Sequence, residues 1–401
     1  MLNLFAKKAP WLAASILAAA SVFGQSREVN ANDPCRAKPA CAPKPVCPPK
    51  PCCDPVPQIQ LIPAYNAPAR VDVRGCWDLY FGASFIYWEA MQDNMSFATS
   101  GASNQASGVY STTPGTKSTS VIIGQDFEYK PGFKVLAGMN FDQDNWDGYA
   151  EYTWFRSSVS ASVAIPPVDK IPAGTSVGIS PTMGSPDIVS IAGVYDSGSQ
   201  DWFLKFQALD TALARTYYVG TKLTFRSIFG ARFAWFTQEK EATFVANVVP
   251  NVGTKGTWDL DQRFSSWGAG ILAGLHTNWI LGEGFRIIGN GSVDLLYTRV
   301  QTTNDKEIWA PVGAATVTRA YRQPRPDFVM PHMDLEFGFG WSTYFDCNNW
   351  HIDLLATYGF QAFWGAELFR HFDDDVQVTN SNLESGNLYL HGLTVSARLD
   401  F

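Results

Sequence analysis

The chain has 401 residues, 46% of them hydrophobic and 17% charged, with a formal net charge of −7. Beyond residue 24 no apolar run reaches the roughly 20 residues that a membrane-crossing helix needs, which excludes a helical-bundle membrane protein. The acidic balance argues against nucleic acid as a partner, because a phosphate backbone calls for a basic stripe.

Residues 1–24 read as a secretory leader. Lys7 and Lys8 supply the positive flank, and Trp11–Phe23 supplies an apolar core too short to anchor in a membrane. Val22 and Gly24 permit cleavage there, with Val29/Ala31 as a second site. No cysteine follows in a lipoprotein-type motif, so no lipid anchor is expected. Loss of the two leader lysines takes the formal charge from −7 to −9.

Residues 25–75 form a Pro/Lys/Cys-rich segment, expected to be a periplasmic linker. Cys35, Cys41, Cys47 and Cys53 recur every six residues, with Cys52 beside the last. A polyproline helix has about 3 residues per turn and rises about 3.1 Å per residue, so these thiols share one edge, about 19 Å apart. Neighbours along that edge cannot bridge one another, because a disulfide needs Cα atoms within about 7 Å. Three readings stay open: thiols offered to other chains for cross-linking, an inert linker, and a metal tract. Zinc prefers closer CxxC pairs. The total of 7 cysteines, which includes Cys76 and Cys347, is odd and leaves at least one without a partner in the chain.

From Cys76 onward strand-like alternation dominates. Trp77–Met91 places Leu79, Phe81, Ala83, Phe85 and Tyr87 on one face, and 126–141 places Phe133, Val135, Ala137, Met139 and Phe141 on one face. Pro131-Gly132 is expected to form a bulge. Strands follow at 146–158, about 200–218 and 222–236, then around Trp267–Leu275 and from Arg286. The last three centre on Met333–Trp341, Trp350–Phe360 and Tyr389–Phe401, the terminal strand alternating to the final residue. Short turns alternate with long polar connections, the two-ended asymmetry of outer-membrane barrels. The 14 Trp, 15 Tyr and 27 Phe suit two interfacial girdles, in which Trp88 and Trp202 are expected to take part. The prediction is all-β: a transmembrane antiparallel up-and-down β-barrel over residues 76–401, with about 10–12 strands or more. A hairpin from Val159–Ile165 and Asp187–Val194 would raise the count.

The polar faces would then line an interior holding Lys134, Arg226, Arg232, Arg286 and Arg398 against Asp147, Glu151, Asp294, Asp334, Glu336, Asp353 and Asp400. Charged rings inside a pore select ions by sign. Equally, opposite charges can pair across neighbouring strands and simply satisfy a polar interior. Gly268, Gly270, Gly274, Gly338, Gly340 and Gly359 fit an open passage or close packing. His332/Asp334 and His351/Asp353 repeat His-x-Asp, the one pattern that would serve a hydrolase, although two polar pairs are expected on such faces anyway. Asp373–Asp375 could hold Ca²⁺, but an acidic loop run is usually a solvated tip. No phosphate-cradling loop or nucleophile elbow occurs, and no cofactor, metal or catalytic residue is expected.

Leu79-Tyr-Phe-Gly-Ala-Ser-Phe-Ile-Tyr-Trp-Glu-Ala90 resembles the first-strand motif of the major-outer-membrane-protein-like porins of chlamydia-related and legionella-type bacteria. So do Gly132–Phe141 and Asp144–Phe155, and the likeness extends over about residues 77–401. The Lys-Pro-x-Cys strip departs from it. The resemblance implies an outer-membrane diffusion channel for small hydrophilic solutes and ions, and it makes a homotrimer plausible. Expected partners are outer-membrane lipid and disulfide-linked envelope proteins or further copies of the chain. The competing expectation is a structural envelope or adhesin barrel with a plugged lumen.

Overall fold

The computed structural model describes residues 67–73, 78–103, 119–141, 144–166, 176–183, 195–246, 255–321, 327–369, 371–372, 381–382 and 386–401. The leader, most of the linker, Cys76, Trp77, Asp187–Val194 and Asp373–Asp375 lie outside them.

Alternating side chains and short turns produce a closed antiparallel barrel of 10 strands. In chain order these are β1 (Leu79–Gln92), β2 (Tyr129–Asn140), β3 (Trp146–Ala164), β4 (Ser197–Tyr218) and β5 (Leu223–Ala246). β6 (Gly256–Gly282), β7 (Phe285–Pro311), β8 (Phe328–Phe345), β9 (Trp350–Phe363) and β10 (Leu388–Asp400) follow. The terminal strand closes the ring on the first, from Tyr80↔Asp400 to Gln92↔Leu388. No sheet edge is left within the barrel wall, the condition for strands to cross a membrane. Val159–Ala164 continues β3 instead of adding a hairpin. Pro131 and Gly132 pair with Tyr87 and Ile86 in unbroken register, so the expected bulge is absent.

The short turns sit at one end with both chain ends of the barrel. Glu283 and Gly284 carry successive positive φ of 52° and 84°, the conformation that a two-residue hairpin matched to strand twist requires. A Cβ on Gly284 would lie 2.2 Å from the Ser342 carbonyl. The next short turn, Asp346–Asn349, has positive φ at Asp346, Cys347 and Asn348, and Cys347 is exposed there. Residues 67–73 reach this end too: Ala69 donates to the Thr216 carbonyl at 3.1 Å, and Arg70 donates to the Phe141 carbonyl at 2.9 Å.

A membrane strand needs about 9–11 residues. β4–β7 run for 22, 24, 27 and 27 residues and therefore overshoot the bilayer at the long-loop end. The outward face records the boundary. On β5, Phe225, Phe229, Phe233 and Trp235 give way to Thr237, Glu239, Glu241 and Thr243. Trp146, Trp279 and Trp350 mark the opposite boundary. On the overshooting part, Phe244, Trp258, Leu260 and Trp309 form an apolar core with Phe97, Ile179 and Tyr195. Part of that cover comes from a small sheet of Ala98–Ser103, Thr119–Ile123 and Ser176–Pro181.

Candidate functional site

The barrel interior splits into two tiers. Every expected interior charge points inward, and near the short turns these charges pair off in clusters around one shared cavity. Arg226 pairs with Asp147, which also accepts a hydrogen bond from Tyr80 at 2.9 Å. Arg286 bonds Asp353 at 2.5 Å, Arg398 bonds Asp400 at 2.5 Å, and His351 lies 3.0 Å from Asp400. Deeper in, Lys134 sits 3.3 Å from Glu151 and 3.8 Å from Glu336. Arg232 is held bidentately by Asp210 at 2.6 and 2.7 Å and contacts Asp294 at 2.9 Å. Together they enclose a polar cavity of about 240 Å³.

The pairs are what the alternation makes available. Asp210 stands directly across from Arg232 in the β4–β5 register, and Asp147 and Arg226 converge from β3 and β5. Of the two expectations for these charges, selection by sign and mutual pairing, the geometry shows pairing: each of the five cations is committed to a carboxylate. Asp210 is an additional interior acid. Its signal was present, since Ala208, Asp210, Ala212 and Ala214 alternate with Leu209, Thr211 and Leu213. It was obscured because both faces of β4 are largely apolar. Among the interior glycines, Gly270 and Gly338 serve close packing: a Cβ on Gly270 would lie 1.9 Å from the Leu295 carbonyl, and one on Gly338 2.1 Å from that of Ala356.

Above this network the interior carries a tier of apolar side chains. All strands except β2 contribute: Trp88, Phe155, Phe206, Phe236, Phe264, Leu296, Met330, Phe363 and Leu390 point inward and are nearly inaccessible. Phe206, Phe236 and Phe363 form a triangle with ring centroids 5.2–5.4 Å apart. Leu368 and Phe369 insert from the β9–β10 connection, Phe369 packing on Phe264 at 5.2 Å. Trp88 and Trp202, expected in the lipid-facing girdle, are therefore interior residues. The outer girdle consists instead of Trp154, Trp235, Trp267 and Trp364.

The two His-x-Asp pairs do not meet. His332 lies 2.6 Å from Asp294 and stacks on Phe363 at 3.9 Å, whereas His351 pairs across from Tyr344 near the opposite end of β8. At about 3.4 Å per residue, that places them roughly 40 Å apart. No group of residues that could hold a metal ion occurs among the described residues. Of the thiol candidates only Cys347 is described; Cys35, Cys41, Cys47, Cys52, Cys53 and Cys76 fall outside.

A family model described as the Legionella pneumophila major outer membrane protein precursor matches residues 72–401. The chain belongs to that family. It is accordingly a protein of the bacterial outer membrane. No curated protein matches the chain. Among solved structures, the outer membrane protease OmpT of Escherichia coli aligns at 8% identity over 83% of this chain and 99% of its own, with a TM-score of 0.34. The monoaromatic hydrocarbon channel CymD aligns at 12% over 81% and 89%, TM-score 0.28. A Pseudomonas aeruginosa FadL homologue aligns at 8% over 81% and 90%, TM-score 0.22.

Proposed function

We propose that this family member is a structural barrel of the outer-membrane envelope whose lumen is closed to free diffusion. The supporting observation is the apolar tier. Nine of its side chains come from the barrel wall itself, so withdrawing the β9–β10 connection with Leu368 and Phe369 would not clear it. A constriction of this kind excludes ions by refusing them water. Residues 67–73 add a second obstruction at the short-turn end. The Lys-Pro-x-Cys strip would then do the envelope work, cross-linking copies or neighbours through its spaced thiols.

A second reading is favoured by the charged cavity beneath that tier: a porin passing small hydrophilic solutes and ions when the aromatic residues swing aside. Current through planar bilayers separates the two. The folded wild-type barrel, confirmed by heat-modifiable gel migration, is expected to give no steady ohmic current. Phe363→Ala removes one corner of the aromatic triangle and should convert silence into measurable openings, at a stability cost of about 3–5 kcal/mol. Steady wild-type conductance would overturn the closed reading in favour of the porin. On non-reducing gels the cross-linked ladder should vanish when 35–53 is deleted, and a ladder that persists would remove the thiol strip from the proposal.

A further inference from the structure

Outside the barrel, charge is graded with distance from the membrane. Cross-strand register aligns Trp154, Gln207, Trp235, Trp267 and Arg299 along the outer girdle. Arg299 is itself a cation at girdle level, and the first two outward positions beyond the girdle on β3–β7 hold Arg156, Lys205 and Arg263 against the single acid Glu239. Asp327, bonded to Tyr297, is the other acid near this level. One position farther from the membrane acids predominate, with Asp201, Glu241 and Asp261 facing out against the single cation Lys306. Cations therefore concentrate at headgroup height and acids above it.

Within this band one pair is unusual. Arg156 and Lys205 stand directly opposite each other on β3 and β4, both facing outward. Like charges in that position repel and destabilise a sheet. Lys205 is drawn to Glu239 at 3.3 Å, and Glu239 is shared with Arg263 at 3.4 Å. The exposed Arg156 guanidinium lies over the Trp154 ring at 5.0 Å, with no carboxylate paired to it among the described residues. A planar donor fork, an ammonium and an interfacial indole are thus collected on one exposed spot. An anion held between the two cations would turn their repulsion into attraction.

We propose that Arg156, Lys205 and Trp154 form a binding site for a phosphate group on phosphorylated glycolipid of the outer leaflet. The guanidinium suits two-point recognition of phosphate oxygens, the ammonium adds a point charge, and the indole packs beside the first acyl carbons. The lipid, not free phosphate, is the assigned source, because the site sits at headgroup height on the lipid-facing wall.

Native mass spectrometry of the folded full-length barrel tests this with a bisphosphorylated glycolipid, its dephosphorylated form and inorganic phosphate as separate probes. The wild type should retain the phosphorylated lipid preferentially. Arg156→Gln or Lys205→Gln should each weaken retention about fivefold, and the double variant on the order of 25-fold. Lys306→Gln, placed farther from the membrane, should change little. Heat-modifiable migration verifies that each variant remains folded. Equal retention of the two lipid forms, or an unaffected double variant, would overturn the site. Displacement of the lipid by equimolar inorganic phosphate would overturn its assignment to a lipid.

Discussion

The two tiers of the barrel interior share the same strands and the same lipid-facing exterior, yet they are held together differently. Near the short turns, buried cations and carboxylates satisfy one another across the barrel interior, some between adjacent strands and others over an intervening strand. Toward the long loops the same strands carry Phe, Trp, Leu and Met, which cohere by dispersion and loss of water contact. A filled interior is what a small barrel reaches when its strands leave room for side chains and little more. The difference predicts losses of similar size but different origin. Deleting an apolar ring leaves a cavity, but deleting one member of the ion network leaves a charge buried without compensation. Arg232→Met strands Asp210 and Asp294 together beside His332, and should cost about 3–5 kcal/mol in urea titration. A loss below about 1 kcal/mol would mean that water screens this tier as it does a surface pair, and the contrast would fail.

Lys240 breaks the pattern, and so sharpens it. It lies in the overshooting part of β5, outside the membrane, fully buried with its ammonium 4.4 Å from the Phe369 ring centre. Burial pushes that ammonium down to about 8 from its ordinary 10.5, although the Glu367 and Asp305 carboxylates pull the other way. Below about pH 8 the folded protein carries the full cost of an ammonium removed from water. Between about 8 and 10.5 the unfolded chain binds more protons than the folded one, so stability rises with pH. Lys240→Met should therefore stabilise the barrel at pH 7 by on the order of 2–3 kcal/mol. Urea midpoints at pH 7, 9 and 10.5 check it: the gain must shrink across that series. A gain independent of pH would place its origin in packing instead of charge.

The strand order, turn placement and interior charges were legible because each depends on local pattern. Period-2 alternation gives faces, and Asp346–Asn349 or Glu283-Gly284 give turns. The apolar tier was not legible for the same physical reason. On β4 and β5 both faces become apolar in mid-strand, and periodicity reports two faces without saying which one meets lipid. Trp88 and Trp202 have the composition of girdle residues, and only closure of the ring turns them inward. The overshoot of β4–β7 is not legible from the apolar alternation, which ends where the outward face leaves the membrane. Asp259, Asp261 and Glu241 on the outward face were its available signal.

Trp88 stands on the boundary between the tiers and measures how tightly they are joined. Its ring belongs to the apolar tier, 5.8 Å from Phe155. Its indole N–H donates to the Thr394 hydroxyl at 3.1 Å, and Lys134 of the ion network lies 5.3 Å from its ring centre. Trp88→Phe keeps an aromatic body but leaves a buried hydroxyl short of its donor, for about 1–2 kcal/mol. Thr394→Val removes the other half of the same bond. If the tiers are coupled here, the double variant should cost about 1 kcal/mol less than the two single losses added together. Strict additivity would mean that the tiers merely adjoin, and that an aromatic gate could move without disturbing the charges below it.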